Sequence, residues 1–247
     1  MNPEAKASDF PDSVAKAVSA FWKTRRLQAR RQRSLGRSDQ GARSAVTGGR
    51  QMDGFTALLT DLIVNAGLPR SSLFYNAKLE LPGYFRAEKK WDLLVVKGGE
   101  LIAVLEAKSQ VGSFGNNFNN RTEEAMGSAL DLWTAYREGA FNKTVRPWLG
   151  YIFLLEDSDK SQRPVKVYEP HFKVFPEFVN ASYATRYEIF CRKLVRERHY
   201  DAAAFILSPE DKGPCGVYSE PAEDLTFELF AKSLEAHVSA FRAVEGS

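Results

Sequence analysis

Apolar positions recur along this chain in two periods. Between 11 and 33, Val14, Val18, Phe21 and Trp22 fall at helical spacing, and Pro11 suits a first turn. A second helical face runs from about 53 to 66 through Phe55, Leu58, Leu59, Leu62 and Ile63. Asp53 can cap its start, and Gly67 with Pro69 ends it. A third helix is predicted over 121–138 with Ala125, Ala129, Leu132, Trp133 and Tyr136 inward, and others at about 182–197 and 224–242. Elsewhere the pattern shortens. "SLFYNAKLEL" (72–81) alternates in part, and the apolar runs 91–97 and 101–108 join through Gly98-Gly99, a hairpin signal. "WLGYIFLLE" (148–156) reads as a buried strand and 203–207 as a further short one. Strand, helix and strand in that order require a right-handed crossover and a parallel pair. The class that follows is α/β, a mixed central β-sheet flanked by helices. "SLGRSDQGARSAVTGGR" (34–50) has no period and four glycines, which makes it a loop. No repeat or long linker divides the chain, so 1–247 is read as one domain with a basic N-terminal segment at 24–50.

Composition narrows the function. No run approaches the ~18 apolar residues of a membrane span. The start, "MNPEAKASDFPDS", lacks the charged-then-apolar pattern of a signal peptide, so a cytoplasmic protein is expected. Cys191 and Cys215 form no close pair and read as reduced thiols, and His171, His199 and His237 are scattered. No phosphate-loop motif is present, which argues against a nucleotide cofactor. The net charge of +3 hides an asymmetry: residues 1–50 carry +7 and the remainder −4. An arginine-rich block of this kind suits a polyanion, because each phosphate it neutralises releases condensed counterions. A solvated helix face is the bland alternative.

The chemistry concentrates in "DLLVVKGGELIAVLEAKS" (92–109), where two core-like strands carry charges at one end. Glu106 and Lys108 are two apart, so they share a face of the strand while Ala107 points away. With the turn at 98–99, Asp92 pairs near 105–106, within the slack of a bulge. Two carboxylates brought together there repel unless a hard cation relieves them. Mg²⁺ takes carboxylate oxygens, backbone carbonyls such as that of Ala107, and water. Lys108 beside it is placed to orient or deprotonate a water. An isolated Glu-x-Lys carries almost no information, and strand-end ion pairs are usually solvated. Asp, thirteen residues, then Glu-x-Lys on an apolar hairpin in a chain with a basic arm is a stronger pattern. It is similar to that of the PD-(D/E)xK nucleases, with Trp91-Asp92 where Pro-Asp is usual.

Beyond that pattern, the sequence closely resembles the XhoI family of type II restriction endonucleases. The resemblance rests on "GGRQMDGF" (48–55), "LPGYFR" (81–86), "WDLLV" (91–95), "GNNFNNRTEEA" (115–125), "HFKVFPEF" (171–178) and "SYATRYEIFCRKL" (182–194), and covers most of 45–195. It implies a restriction-endonuclease-like core and a homodimer that cuts double-stranded DNA at 5′-CTCGAG-3′ after the first C, with Mg²⁺. Rival readings are a PD-(D/E)xK repair nuclease without sequence specificity and a DNA-binding module with a dead nuclease fold. Intact Asp92, Glu106 and Lys108 argue against the last.

Other residues carry two readings each. Asp53 is most simply an N-cap, though members of this fold often bring an extra acid from such a helix to the metal. Glu123 and Glu124 suit the dipole at the start of the helix at 121. "GNNFNNR" (115–121) reads as a polar loop. Its Asn116, Asn117, Asn119 and Asn120 can bond adenine edges and its Arg121 guanine edges, and all five can serve as phosphate contacts. The alternative is an Asn-rich turn. Arg50 and Gln51 share this ambiguity as DNA-binding candidates.

Overall fold

The computed structural model describes residues 10–34, 50–142 and 145–245. Most of the stretch read as a glycine-rich basic loop, 35–49, lies outside the described residues, as does the side chain of Arg50. In chain order the strands are β1 (Leu73–Phe74), β2 (Glu80–Pro82), β3 (Glu88–Lys90), β4 (Leu93–Lys97), β5 (Glu100–Gln110), β6 (Trp148–Glu156) and β7 (Ala202–Ser208). The helices are α1 (Phe10–Ser34), α2 (Asp53–Asn65), α3 (Phe114–Arg137), the single turn α4 (Asp159–Gln162), α5 (Tyr183–Arg196) and α6 (Phe227–Glu245).

Five strands form one sheet in the order β1-β4-β5-β6-β7. β1, β4 and β5 pair antiparallel, and β5-β6 and β6-β7 pair parallel. The mixed α/β class read from the sequence is thus the observed one, including the parallel pair across the crossover through α3. β6 and β7 are continuous apolar runs because helices cover both faces of that half of the sheet. On one face Val14, Val18, Phe21, Phe55, Leu59, Ile63, Phe230 and Leu234 from α1, α2 and α6 pack over Leu105, Ile152, Ala204 and Ile206. On the other, Ala125, Ala129 and Leu132 of α3 and Tyr187 and Leu194 of α5 pack over Val104, Tyr151, Phe153 and Phe205. Each fully buried large apolar side chain contributes about 1.5–3 kcal/mol, so the sheet is a rigid platform.

The differences from the sequence reading lie where polar composition misled it. The strand at 72–81 survives only as β1 and the start of β2. "GNNFNNR" is not a loop: α3 begins at Phe114 and runs through all of it. Phe114 stacks on Tyr183 with ring centroids 5.9 Å apart, and Phe118 meets Tyr187 edge-on at 4.9 Å. Those two aromatics anchor the first turns and leave the asparagines outward. Glu123 and Glu124 therefore sit well inside α3 rather than at its start. Asp53 stands at the first helical position of α2, one place inside the N-cap residue Met52.

β2 and β3 make a separate antiparallel pair whose turn is fastened to α3. The buried carboxylate of Asp131 accepts the backbone N–H groups of Tyr84 and Phe85 at 2.8 Å each and the Arg86 Nε at 2.7 Å. Burial opposes its charge, but the Phe85 N–H, Arg86 and the Tyr84 N–H outweigh this and hold the carboxyl below its ordinary value. A Cβ on Gly83 would come within 2.6 Å of Asp131 Oδ2 and 2.7 Å of the Arg86 carbonyl, so the close approach requires glycine. The clip fixes the strand that carries Lys89.

Asp131→Ala is expected to cost about 2–4 kcal/mol, because two N–H groups and a guanidinium lose a charged acceptor. Urea denaturation at pH 7 measures this. The contribution is present above the ordinary aspartate range and fades as pH falls through the lowered native value. A variant within 0.5 kcal/mol of wild type, on the order of a neutral surface change, would show that the turn holds without the clip.

Candidate active site

The three charges of the hairpin converge. Asp92 lies just before β4, and its N–H donates to the Leu105 carbonyl, which sets it beside the far half of β5. A register shift between Val95 and Val96 is the bulge that the spacing required. Asp92 Oδ2 accepts the Ala107 N–H at 2.8 Å and lies 3.6 Å from Lys108 Nζ. Lys108 Nζ is 2.9 Å from Glu106 Oε1. The ladder with β4 ends at Leu105, so the Ala107 carbonyl, on the same strand edge, lies beyond the last rung.

Glu106 is 1% exposed and has two partners that the sequence did not reveal. Lys89 from β3 reaches the same Oε1 at 3.1 Å while its ammonium sits 4.1 Å above the Trp91 ring. Tyr200, between α5 and β7, places its hydroxyl 3.0 Å from Oε2 and 3.1 Å from the Ala125 carbonyl. A hint of Lys89 lay in its position two residues before Trp91, the same side of an extended chain. Nothing in sequence pointed to Tyr200, which is 94 residues from Glu106.

Burial works against the Glu106 charge, yet the ammonium groups of Lys108 and Lys89 outweigh it and hold the carboxyl below its ordinary value. For Lys108 burial favours the neutral amine, but Glu106 and Asp92 dominate and raise its pKa. Burial, followed by the Glu106 charge, drives the Tyr200 phenol well up, so it stays a hydrogen-bond donor.

Asp92, Ala107 and Lys108 open into a cleft of about 170 Å³ also lined by Gln51, Met52, Ser109 and Arg121. Gln51 Nε2 donates to Gln28 Oε1 at 2.7 Å, which ties the basic end of α1 to the rim. Asn116, Asn119 and Asn120 are exposed on the first turns of α3, and Asn117 bonds the Ser113 carbonyl. Asp53 is exposed at the start of α2. Among the described residues no group of three or more His, Cys, Asp or Glu side chains is placed to hold a metal, so Asp53 does not complete such a set with Asp92 and Glu106. Asp92 and Ala107 line the cleft, while Glu106 is buried next to Lys108 and does not. Carboxylate and carbonyl oxygens are hard donors, the chemistry that suits a small divalent cation retaining several waters.

A mixed sheet with helices on both faces, carrying Asp and Glu-x-Lys on adjacent antiparallel strands, has the layout of a restriction-endonuclease core. The comparisons name the family. The model of restriction endonuclease XhoI matches residues 31–220. The type II restriction enzyme BstVI of Geobacillus stearothermophilus is 54% identical over 215 residues, 85% of this chain and 96% of its own length. Type II restriction enzyme XhoI of Xanthomonas vasicola is 49% identical over 183 residues, 72% of each chain. AbrI of Azospirillum brasilense is 49% identical over 168 residues, 67% of this chain and 75% of its own. No solved structure matches the chain. The protein belongs to the XhoI family of restriction endonucleases. It is a type II restriction enzyme, a site-specific deoxyribonuclease acting on DNA, a class that generally requires a divalent metal. Among the described residues no helix is long and apolar enough to cross a membrane.

The charge balance around Glu106 predicts an unusual response. Where acids cluster to await a metal, removing one stabilises the metal-free protein. Here Glu106→Ala in chelator should instead lose about 2–3 kcal/mol, because it removes the carboxylate that Lys89 pairs with and leaves Lys108 only the more distant Asp92. The figure is reduced for the partial exposure of both lysines. The gap between variant and wild type should narrow as pH falls through the lowered Glu106 value, since protonation removes the same charge. A variant more stable than wild type at pH 7 would mean that acid repulsion dominates the site.

Proposed function

We propose that this enzyme hydrolyses both strands of 5′-CTCGAG-3′ after the first C, with Mg²⁺, as a cytoplasmic homodimer in a restriction-modification system. The whole chain, 1–247, is read as one nuclease domain. The observation that carries the reading is the convergence of Asp92, Glu106 and Lys108, with Lys108 Nζ 2.9 Å from Glu106 and 3.6 Å from Asp92. The target sequence rests on the resemblance to the XhoI family, and the dimer on symmetry: a palindrome presents two equivalent phosphates, which a C₂ pair meets with one site each.

In this reading Asp92, Glu106 and the Ala107 carbonyl hold Mg²⁺, which when bound supplies charge for the scissile phosphate and acidifies a water. The remaining work falls to the protein. Lys108 donates to the attacking water and fixes its line of approach. The water oxygen forms a bond to phosphorus as the bond to the 3′ oxygen breaks. That oxygen leaves with the electron pair and takes up a proton, while the water's proton passes to solvent. The products carry 5′-phosphate and 3′-hydroxyl. Lys89 and Tyr200 position Glu106 and touch no reacting atom. Arg50, Gln51 and the asparagines of α3 lie along the DNA.

Asp92→Ala, Glu106→Ala and Lys108→Ala should each slow cutting of a CTCGAG duplex by several orders of magnitude, with Lys108→Ala retaining the fold and specific binding. Near wild-type cutting by a folded Lys108→Ala or Glu106→Ala protein would remove the hairpin from the active site. A smear from plasmid DNA in place of discrete bands would indicate a nonspecific nuclease.

The basic arm is predicted to act unevenly. Arg26 Nη2 donates to the Glu210 carbonyl at 2.7 Å, and burial lowers the Arg25 pKa against the pull of Glu210 and Glu156, so both are tied into the fold. Replacing the exposed Arg30 should flatten the salt dependence of DNA binding by up to about one unit, the share of one phosphate contact, without changing base preference. An unchanged slope would make that end of α1 a solvated face.

A further inference from the structure

We propose that Arg121 is a catalytic residue that grips the non-bridging oxygens of the scissile phosphate, rather than a reader of bases. The proposal deepens the nuclease reading above and rests on it. Arg121 lines the same small cleft as Asp92, Ala107 and Lys108. Its side chain is only 18% exposed, less than that of Lys108, although it is the eighth residue of a helix whose neighbouring asparagines face solvent. A cation is not driven there by an internal partner. Its ion pair is with Glu124, three residues on, whose side chain is 51% exposed, and such a surface pair is worth little.

Its Nε is buried and has no hydrogen-bond partner, and the hydroxyls of Tyr151 and Tyr187 share that condition. Both tyrosines feel the Arg121 charge, as does Lys108, which it disfavours as a neighbouring cation. Asp92 lies against Lys108, so the second cation of the cleft, Arg121, and its unpartnered guanidinium N–H suit an anionic ligand, and a planar fork of donors matches phosphate oxygens. The position opposes base readout. Base edges lie inside the grooves, whereas Asp92 and Lys108, which line the same cleft as Arg121, address the backbone in the nuclease reading. Negative charge grows on the non-bridging oxygens as water adds to phosphorus, and a fixed guanidinium in a desolvated cleft stabilises that change. Glu124 holds the fork without closing it.

The test uses full-length protein and short duplexes. Single-turnover cleavage with Mg²⁺ is measured for wild type, Asp92→Ala, Arg121→Gln, Arg121→Lys and Glu124→Gln. Binding is measured with Ca²⁺ in place of Mg²⁺ on CTCGAG, on a one-base variant, and on CTCGAG carrying an uncharged methylphosphonate at the scissile position. Arg121→Gln should cut about 10²–10³-fold more slowly, the size expected for removing one transition-state donor. Arg121→Lys should recover part of that rate, and Glu124→Gln should lose at least about tenfold less than Arg121→Gln. Discrimination between CTCGAG and the one-base variant should stay within about twofold, and the methylphosphonate should weaken wild type more than Arg121→Gln. A collapse of discrimination would make Arg121 a base reader and overturn the proposal. So would equal losses in Arg121→Gln and Glu124→Gln, which would mark a structural pair, or an Arg121→Gln rate within about threefold of wild type. If wild type leaves CTCGAG intact, or Asp92→Ala still cuts it, the nuclease reading falls and takes this proposal with it.

Discussion

A carboxylate with 1% of its surface exposed persists on a sheet strand only if its surroundings replace the water it has lost. Glu106 meets that condition with two ammonium groups on one oxygen and a phenol near the other. Everything else about the site follows from supplying those partners. Lys108 comes from the same face of the same strand. Lys89 comes from β3, which is set by the β2-β3 turn, which in turn is clipped to α3 by Asp131. Tyr200 comes from the segment just before β7, on the parallel side of the sheet. Three parts of the chain therefore meet at one carboxylate, and the packed layers on both faces hold them in register.

The sheet also explains why acids and an amine stand at the end of two apolar runs. β5 is longer than its antiparallel partner, so its last residues leave the β4 ladder while still pairing with β6. On the free side the backbone of Ala107 turns to Asp92, and on one face Glu106 and Lys108 emerge side by side. A strand supported on one edge and open on the other gives rigid placement and access together, which loops would give less precisely.

The parts of the fold visible in sequence were those governed by period. The faces of α1 and α2, the hairpin, the buried β6 and the parallel crossover all repeat a spacing that burial imposes. The convergence of Asp92 with Glu106 and Lys108 was legible for the same reason, since alternation and a two-glycine turn fix which side chains face each other. What escaped was set by contacts distant in sequence. "GNNFNNR" is polar by composition, and only Phe114 and Phe118 finding Tyr183 and Tyr187 some 65 residues later makes it helical. Lys89 has only its spacing from Trp91 as a local hint, and Tyr200 has none. A lysine in "EKKWD" and a tyrosine in "RHYD" become part of the site through tertiary packing alone.

That packing leaves an excess of cations where acids would be expected. Lys89 and Lys108 pair with Glu106, Lys108 also with Asp92, and Arg121 with the more exposed Glu124. The lysines do not cancel the acids uniformly. Lys89 is spent on the buried oxygen of Glu106, so it supports the carboxylate from behind, while Asp92 remains more than a third exposed toward the cleft. Asp92 thus presents negative charge to a cleft that Lys108 and Arg121 also line. A metal ion and a phosphate need opposite fields only a few ångströms apart, and a single sign of charge throughout would bind one and repel the other. With Lys89 committed to Glu106, and Lys108 and Arg121 lining the same cleft as Asp92, one small site offers both signs of charge.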